Sequence, residues 1–268
     1  MKPDTKLLLV GCGKMGGAIL QRIASSATTY VVEPNSPPAE LQKLPSITWV
    51  TSFDKIDASF KPDIIVLAIK PQHVSTTLPN YASYKESVLL SILAGTSLAT
   101  LEKLWGTSRA IVRSMPNLSA SIGEGMSVAV ANPFVSAHQH QLCDDILKAV
   151  GDVAWVEDEH LIDAATALSG SGPAYVFALC EAMTKAGTAL GFSEVMAKQL
   201  AQKTLSGSAA LLTQSKEDAT YLRNAVTSPG GTTEAALKEL LGPTGLFDLM
   251  HKTLQAALKR AKELAKLA

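Results

Sequence analysis

Leu7 to Ala18 reads LLLVGCGKMGGA, an apolar run that feeds directly into glycines at 11, 13 and 16. This pattern predicts a strand, a phosphate loop and a helix. Gly11 permits the tight turn, Gly13 lets the backbone approach a pyrophosphate, and Gly16 lets the helix sit close to the strand. The loop Gly11, Cys12, Gly13, Lys14, Met15 and Gly16 is therefore the candidate cofactor-binding segment, with free helix amides facing the phosphates. Met15, Ala18, Ile19, Ile23 and Ala24 continue at helical spacing. The competing reading is a glycine-rich turn in some other α/β sheet.

The rest of the first half alternates strand and helix. Tyr30–Glu33 reads as a second strand, and Glu33 stands roughly 20 residues beyond the loop, where an acid accepts from the adenosine ribose 2′ hydroxyl. A 2′ phosphate beside it would be repelled by about 4 kcal/mol at about 4 Å and an effective dielectric of about 20, less where solvent screens it. No Arg or Lys lies between Val31 and Glu40, so Glu33 leans toward NADH. Asn35 and Ser36 could still bond a phosphate, and Glu33 could simply end an edge strand in solvent.

Asp63–Ile69 is a near-continuous apolar run, as in a strand buried on both faces, and it ends at Lys70 and Pro71. Ligands pass the carboxyl ends of such strands, which makes Lys70 a candidate, although a solvated loop lysine is the plain alternative. Val88–Leu93 and Ala110–Arg113 read as strands, with a helix from Ser97 to Trp105 between them that Ser97 caps. Ser114, Met115, Pro116 and Asn117 follow on the same edge. Met126–Val130 and Val153–Val156, separated by a helix from about Ser136 to Val150, complete a doubly wound sheet.

From about Glu157 the strand signals stop and the chain turns alanine-rich and helical. This places a dinucleotide-binding domain at 1–158 and a helical domain at 159–268. Ala164–Cys180, uncharged throughout, reads as a loop and a buried helix, with Ser169–Pro173 breaking the chain and Pro173 in the first turn of a helix to about Leu190. Gly191 closes it, Ser193 caps the next helix to about Thr213, and Asp218 caps a short one. Thr227–Thr233, TSPGGTT, precedes a helix over Glu234–Leu241 and can turn several amides and hydroxyls toward one anion; the alternative is a well-capped turn. A final helix from about Pro243 ends in Lys259, Arg260, Lys262 and Lys266, a basic end that complements its own dipole.

Composition narrows the function. Lys plus Arg and Asp plus Glu are both 24, so no global field attracts nucleic acid or an anionic membrane, and the expected partner is a small molecule. The apolar run before Gly11 is too short for a signal sequence. Cys12, Cys143 and Cys180 form no CxxC pair, which fits a reducing cytoplasm. His138 and His140 would point about 200° apart on a helix and hold no metal. Ser169 and Ser171 lack the setting of a nucleophile elbow. Glu157, Asp158 and Glu159 read as a surface turn.

GCGKMG at 11–16, KP at 70–71, MPN at 115–117, SGSGPAY at 169–175 and SPGGTT at 228–233 together resemble the pyrroline-5-carboxylate reductase family, in the right order across the whole length. The last two segments are the most discriminating. The resemblance implies an N-terminal nicotinamide-binding domain, an all-helical domain that interlocks with a second subunit, and an active site between the cofactor domain and helices of the dimer. It implies that Gly230, Gly231 and Thr232 hold the substrate carboxylate by backbone amides, and that Thr233 bonds near the ring nitrogen. Lys70, Pro71, Met115 and Asn117 would border the cofactor and the substrate entrance. It also implies hydride transfer to the C5 imine carbon of 1-pyrroline-5-carboxylate and leans to NADPH, against the lean of Glu33. The competing readings are another imine or hydroxyacid reductase of this plan, which would want a lysine base early on the helix after Pro173 where only the late Lys185 occurs, and a non-enzymatic NAD(P)-sensing protein.

Overall fold

Alternate residues of the first strand face opposite apolar clusters. In the computed structural model, which describes residues 4–265, strand β1 (Lys6–Val10) sends Leu7 and Leu9 into one cluster and Leu8 and Val10 into the other. A period of two with both faces apolar requires cover on both sides. That cover comes from helices on each face of one sheet: the helical residues Ile19, Leu20, Leu142 and Ile146 pack on one side, and Leu101 and Trp105 of another helix on the other.

The elements run α1 (Lys14–Ile23), β2 (Thr28–Val32), α2 (Ala39–Gln42), β3 (Ile47–Val50), β4 (Ile64–Leu67), α3 (Val74–Thr77), β5 (Val88–Ser91), α4 (Leu98–Trp105), β6 (Ile111–Met115), β7 (Gly125–Ala131), α5 (Ala137–Lys148) and β8 (Gly151–Trp155). The strand order is β3-β2-β1-β4-β5-β6-β7-β8. All neighbours are parallel except β6 and β7. The order reverses between β1 and β4, and such a switch point opens a crevice outside the strand ends, here at Val10 and Leu67. Ser97 caps α4 by accepting from the Thr100 amide at 3.1 Å, as its residue type predicts.

Strand β3 was not foreseen. It is a four-residue edge strand with its side chains only partly covered, so neither a continuous apolar run nor strict alternation marks it. Its pairing with β2 defines it.

After β8 come α6 (His160–Ala165), a single π-helical turn (Thr166–Gly170), α7 (Gly172–Ala189), α8 (Glu194–Gln214), α9 (Ala219–Ala225), α10 (Thr232–Leu240) and α11 (Leu246–Ala265). One compact unit runs to Ser171 and takes in the chain again from Ala257, and the other is Gly172–Ala256. Ser193 accepts from the Met196 amide and Asp218 from the Tyr221 amide, so both expected caps form. Gly191, at φ +103°, ends the α7 segment. Lys266 lies outside the described residues.

Two expectations for this half are corrected. Ser169–Pro173 is not a loop throughout: the π turn keeps the chain helical to Gly170, the Ser171 amide donates to the Thr166 carbonyl at 2.9 Å, the break is confined to Ser171, and Pro173 stands in the first turn of α7 as expected. Nor is α7 buried within one chain, since Val176 and Phe177 are 51% and 61% exposed. The apolar run is there, but a single chain supplies no surface to cover it.

Candidate functional site

The glycine loop is closed where it must pack and open where a ligand would approach. A Cβ on Gly11, which sits at φ +87°, would lie 2.8 Å from the Ala68 carbonyl oxygen. One on Gly16 would lie 2.5 Å from the Gly11 carbonyl oxygen. A Cβ on Gly13 would meet nothing within 4 Å. Gly13 is also the N-cap of α1, and no side chain caps that helix start. An uncapped helix start beside an open glycine is the donor set that a pyrophosphate fits.

A depression of about 520 Å³ lies on the β2 side of this loop, lined by Gly11, Gly13, Glu33, Asn35, Lys70 and His73 among others. Lys70 precedes a 3₁₀ turn begun by Pro71, whose fixed φ suits a first helical position. The Glu33 carboxylate is held from three sides: Cys12 N–H donates to Oε2 at 2.9 Å, and the Asn35 backbone and side-chain amides donate to Oε1 at 3.0 and 2.9 Å. Burial, and secondarily the Glu33 charge, pushes the Cys12 thiol up to about 11. Cys12 thus stays a neutral thiol at neutral pH and serves the loop by its backbone.

A second depression, about 490 Å³, opens on the other side of the loop. Lys14, Met15, Met115, Asn117, Ser121 and Gly170 are among its lining residues. Asn117 is spent on both ends of its amide: Nδ2 donates to Ser169 Oγ at 3.1 Å, and Oδ1 accepts from the Met126 amide at 3.2 Å. The π turn is thereby tied to the β6 edge, and a Cβ on Gly170 would sit 2.6 Å from the Met115 Cε. Single π turns recur at functional sites because they re-aim the backbone within a continuous helix.

The same attachment is secured deeper in the fold. Arg113, its side chain only 3% exposed, bonds Glu159 Oε1 at 2.7 Å and Asp163 Oδ1 at 2.8 Å. Glu159 also accepts from the Leu98 amide. The expectation that Glu159 belongs to a plain surface turn is corrected, because a buried guanidinium 46 residues away draws it inward. Of the histidines on α5, His140 stacks on Trp155 with ring centroids 3.8 Å apart.

In the second unit, Gly230 adopts φ +72° and Gly231 is the N-cap of α10 with no side-chain cap. Helix α10 begins at Thr232, so Thr232 and Thr233 sit in its first turn. The Gly230 amide donates to Glu234 Oε2 at 2.9 Å, and the Gly231 amide to the Ser228 carbonyl at 3.0 Å. A carboxylate of the chain itself already accepts from this loop.

Two family models match: residues 6–95 match one described as an NADP oxidoreductase, coenzyme F420-dependent, and residues 159–264 match one for pyrroline-5-carboxylate reductase dimerisation. The pyrroline-5-carboxylate reductase of Pseudomonas aeruginosa is 36% identical over 267 residues, covering 97% of each chain. The chain belongs to the pyrroline-5-carboxylate reductase family. Among solved members of that family, the Coxiella burnetii enzyme superposes with a TM-score of 0.90 at 31% identity, over 98% of this chain and 99% of its own. The Plasmodium falciparum enzyme, solved with NADP bound, gives 0.85 at 28% identity over 99% and 100%.

Within this reductase family member, Gly11, Cys12, Gly13, Lys14, Met15, Gly16, Glu33, Lys70, Pro71 and Asn117 all fall in the first compact unit, and Gly230, Gly231, Thr232 and Thr233 in the second. Sequence reasoning passed over Arg113, Asp163 and Glu234 as participants. The charged type of Arg113 inside an apolar strand was the one local signal; its partners are distant in sequence.

Proposed function

We propose that this chain reduces 1-pyrroline-5-carboxylate to proline with a reduced nicotinamide dinucleotide. Full-length membership of the reductase family carries the reading. The glycine loop supports it, being open at Gly13, closed at Gly11 and Gly16, and uncapped at the helix start. The amides of Gly13, Lys14 and Met15 hold the diphosphate, while Glu33 and Lys70 border the adenosine half and Met15, Met115 and Asn117 the nicotinamide half. When bound, the cofactor supplies a hydride to C5 of the protonated cyclic imine, whose C=N electron pair becomes the amine lone pair.

The protein's part is binding and aim. Gly230, Gly231 and Thr232 receive the substrate carboxylate, and Thr233 bonds at the ring nitrogen. Holding C5 within about 3 to 3.5 Å of the hydride does most of the catalytic work, since a protonated imine is already an electrophile. Lys185 offers no competing hydroxyacid chemistry: its ammonium is paired with Glu181 at 2.6 Å, and that carboxylate raises its pKa, the opposite of what a general base needs.

By role, cofactor binding is assigned to 1–158 and substrate binding and dimerisation to 159–268, a division distinct from the compact units, the first of which takes in 159–171 and the chain from Ala257. The active protein is a homodimer or a higher assembly of it, a reading that the match to the dimerisation model and the exposed apolar residues of α7 and α8 support. The reaction belongs in the cytoplasm. The cysteines are free thiols, and among the described residues no helix is long and apolar enough to cross a membrane. Oxidation of NADH or NADPH that depends on added pyrroline-5-carboxylate, followed by absorbance, tests the assignment; oxidation unaffected by the imine would refute it.

A further inference from the structure

The Glu33 carboxylate is built into the loop rather than left at a strand end. Glu33 directly follows β2, and its own amide bonds the Val50 carbonyl at 3.0 Å, which fixes the backbone from which the side chain reaches Cys12. Cys12 N–H, Asn35 N–H and Asn35 Nδ2–H all donate to it. These are the donors that a 2′ phosphate at this end of the crevice would need. A carboxylate offers roughly four acceptor positions, so with these three filled one remains, matched to a single hydroxyl donor. A phosphate has no proton to give and carries like charge.

We propose that Glu33, locked by Cys12 and Asn35, makes this enzyme select NADH over NADPH. The inference rests on the cofactor site assigned under Proposed function and goes beyond it, because that reading takes either dinucleotide. Asn35 does not offset the acid: both of its amides are bound to Glu33 and turn away from a phosphate only as long as the carboxylate is there. Lys70 and His73 line the same depression. Lys70 is the cation a phosphate would turn to once the acid is gone.

The test is direct binding of NADH and NADPH to the full-length protein by isothermal titration, without imine substrate, for the wild type, Glu33→Gln and Glu33→Ser. The wild type should bind NADH about tenfold more tightly than NADPH, which is about 1.4 kcal/mol. Glu33→Gln, which removes charge but keeps an acceptor, should narrow the ratio. Glu33→Ser, which releases the Cys12 and Asn35 donors, should reverse it. Equal or tighter binding of NADPH by the wild type overturns the preference while leaving the reductase assignment intact, and a ratio unmoved in both variants overturns the role of Glu33. Failure to bind either dinucleotide overturns the cofactor site and the preference together. Binding with the expected ratio but no imine-dependent oxidation refutes the reductase reading alone.

Discussion

Asn117 Nδ2 lies 3.1 Å from Ser169 Oγ, joining the end of β6 to the π turn across 52 residues of sequence. With Oδ1 taken by the Met126 amide, Asn117 acts by holding the wall of the depression that contains Met115 and Gly170. Asn117→Ala should lower kcat by about tenfold, since a displacement of about 1 Å in a reacting pair can cost more than that. Ser169→Ala removes the acceptor for Nδ2 and leaves the bond from Met126 intact, so it should show most of the loss. Steady-state kinetics on both variants, with circular dichroism to confirm folding, reads the effect; full activity in Ser169→Ala would dismiss the tie to Ser169.

Arg113 bridges Glu159 and Asp163 inside the first unit. Removing the guanidinium leaves two carboxylates facing each other with no cation, and breaking such a buried pair costs about 3 to 5 kcal/mol. Glu159 can turn partly to water, its side chain being 30% exposed, which places Arg113→Met at about 3 kcal/mol. Urea denaturation should show a lower midpoint at unchanged slope.

Thr233 stands in the first turn of α10, beyond the tight turn at Gly230. If its hydroxyl bonds at the ring nitrogen, Thr233→Ala removes an interaction made by the reacting imine and not by the cofactor. Turnover should fall by roughly tenfold, about 1.4 kcal/mol in the barrier. Dinucleotide affinity should stay within experimental error. An unchanged rate would exclude the role.

Glu234 accepts from the Gly230 amide, where the substrate carboxylate is expected. An incoming carboxylate must displace it or share the loop with a like charge. Glu234→Ala should therefore lower KM for pyrroline-5-carboxylate about threefold with kcat unchanged, the signature of a change in uniform binding. A higher KM would show that Glu234 instead holds the loop in its receptive shape.

The cofactor loop was legible because its glycine spacing and its flanking strand and helix are local. Gly11, Gly13 and Gly16 lie within one turn and its helix, and the apolar run before them can only be a strand covered on both faces. The caps at Ser97, Ser193 and Asp218 were legible for the same reason, since each side chain meets an amide three residues on. Edge strand β3 was not, because its half-covered side chains carry no clear period and only pairing with β2 identifies it.

Sequence alone determined the doubly wound sheet, the helical second half and the family, since periodicity, glycine placement and ordered motifs are properties of the chain read along its length. Only the tertiary structure decided that Glu33 is clamped between Cys12 and Asn35, that Glu234 occupies the Gly230 loop, that Arg113 ties α6 to the sheet, and that Asn117 ties the π turn to it. Even the short-range contacts among these depend on side-chain direction, and the long-range ones on strands and helices brought together by burial. A hydrogen bond acts over about 3 Å in space, and sequence spacing does not say which donors fall within that reach.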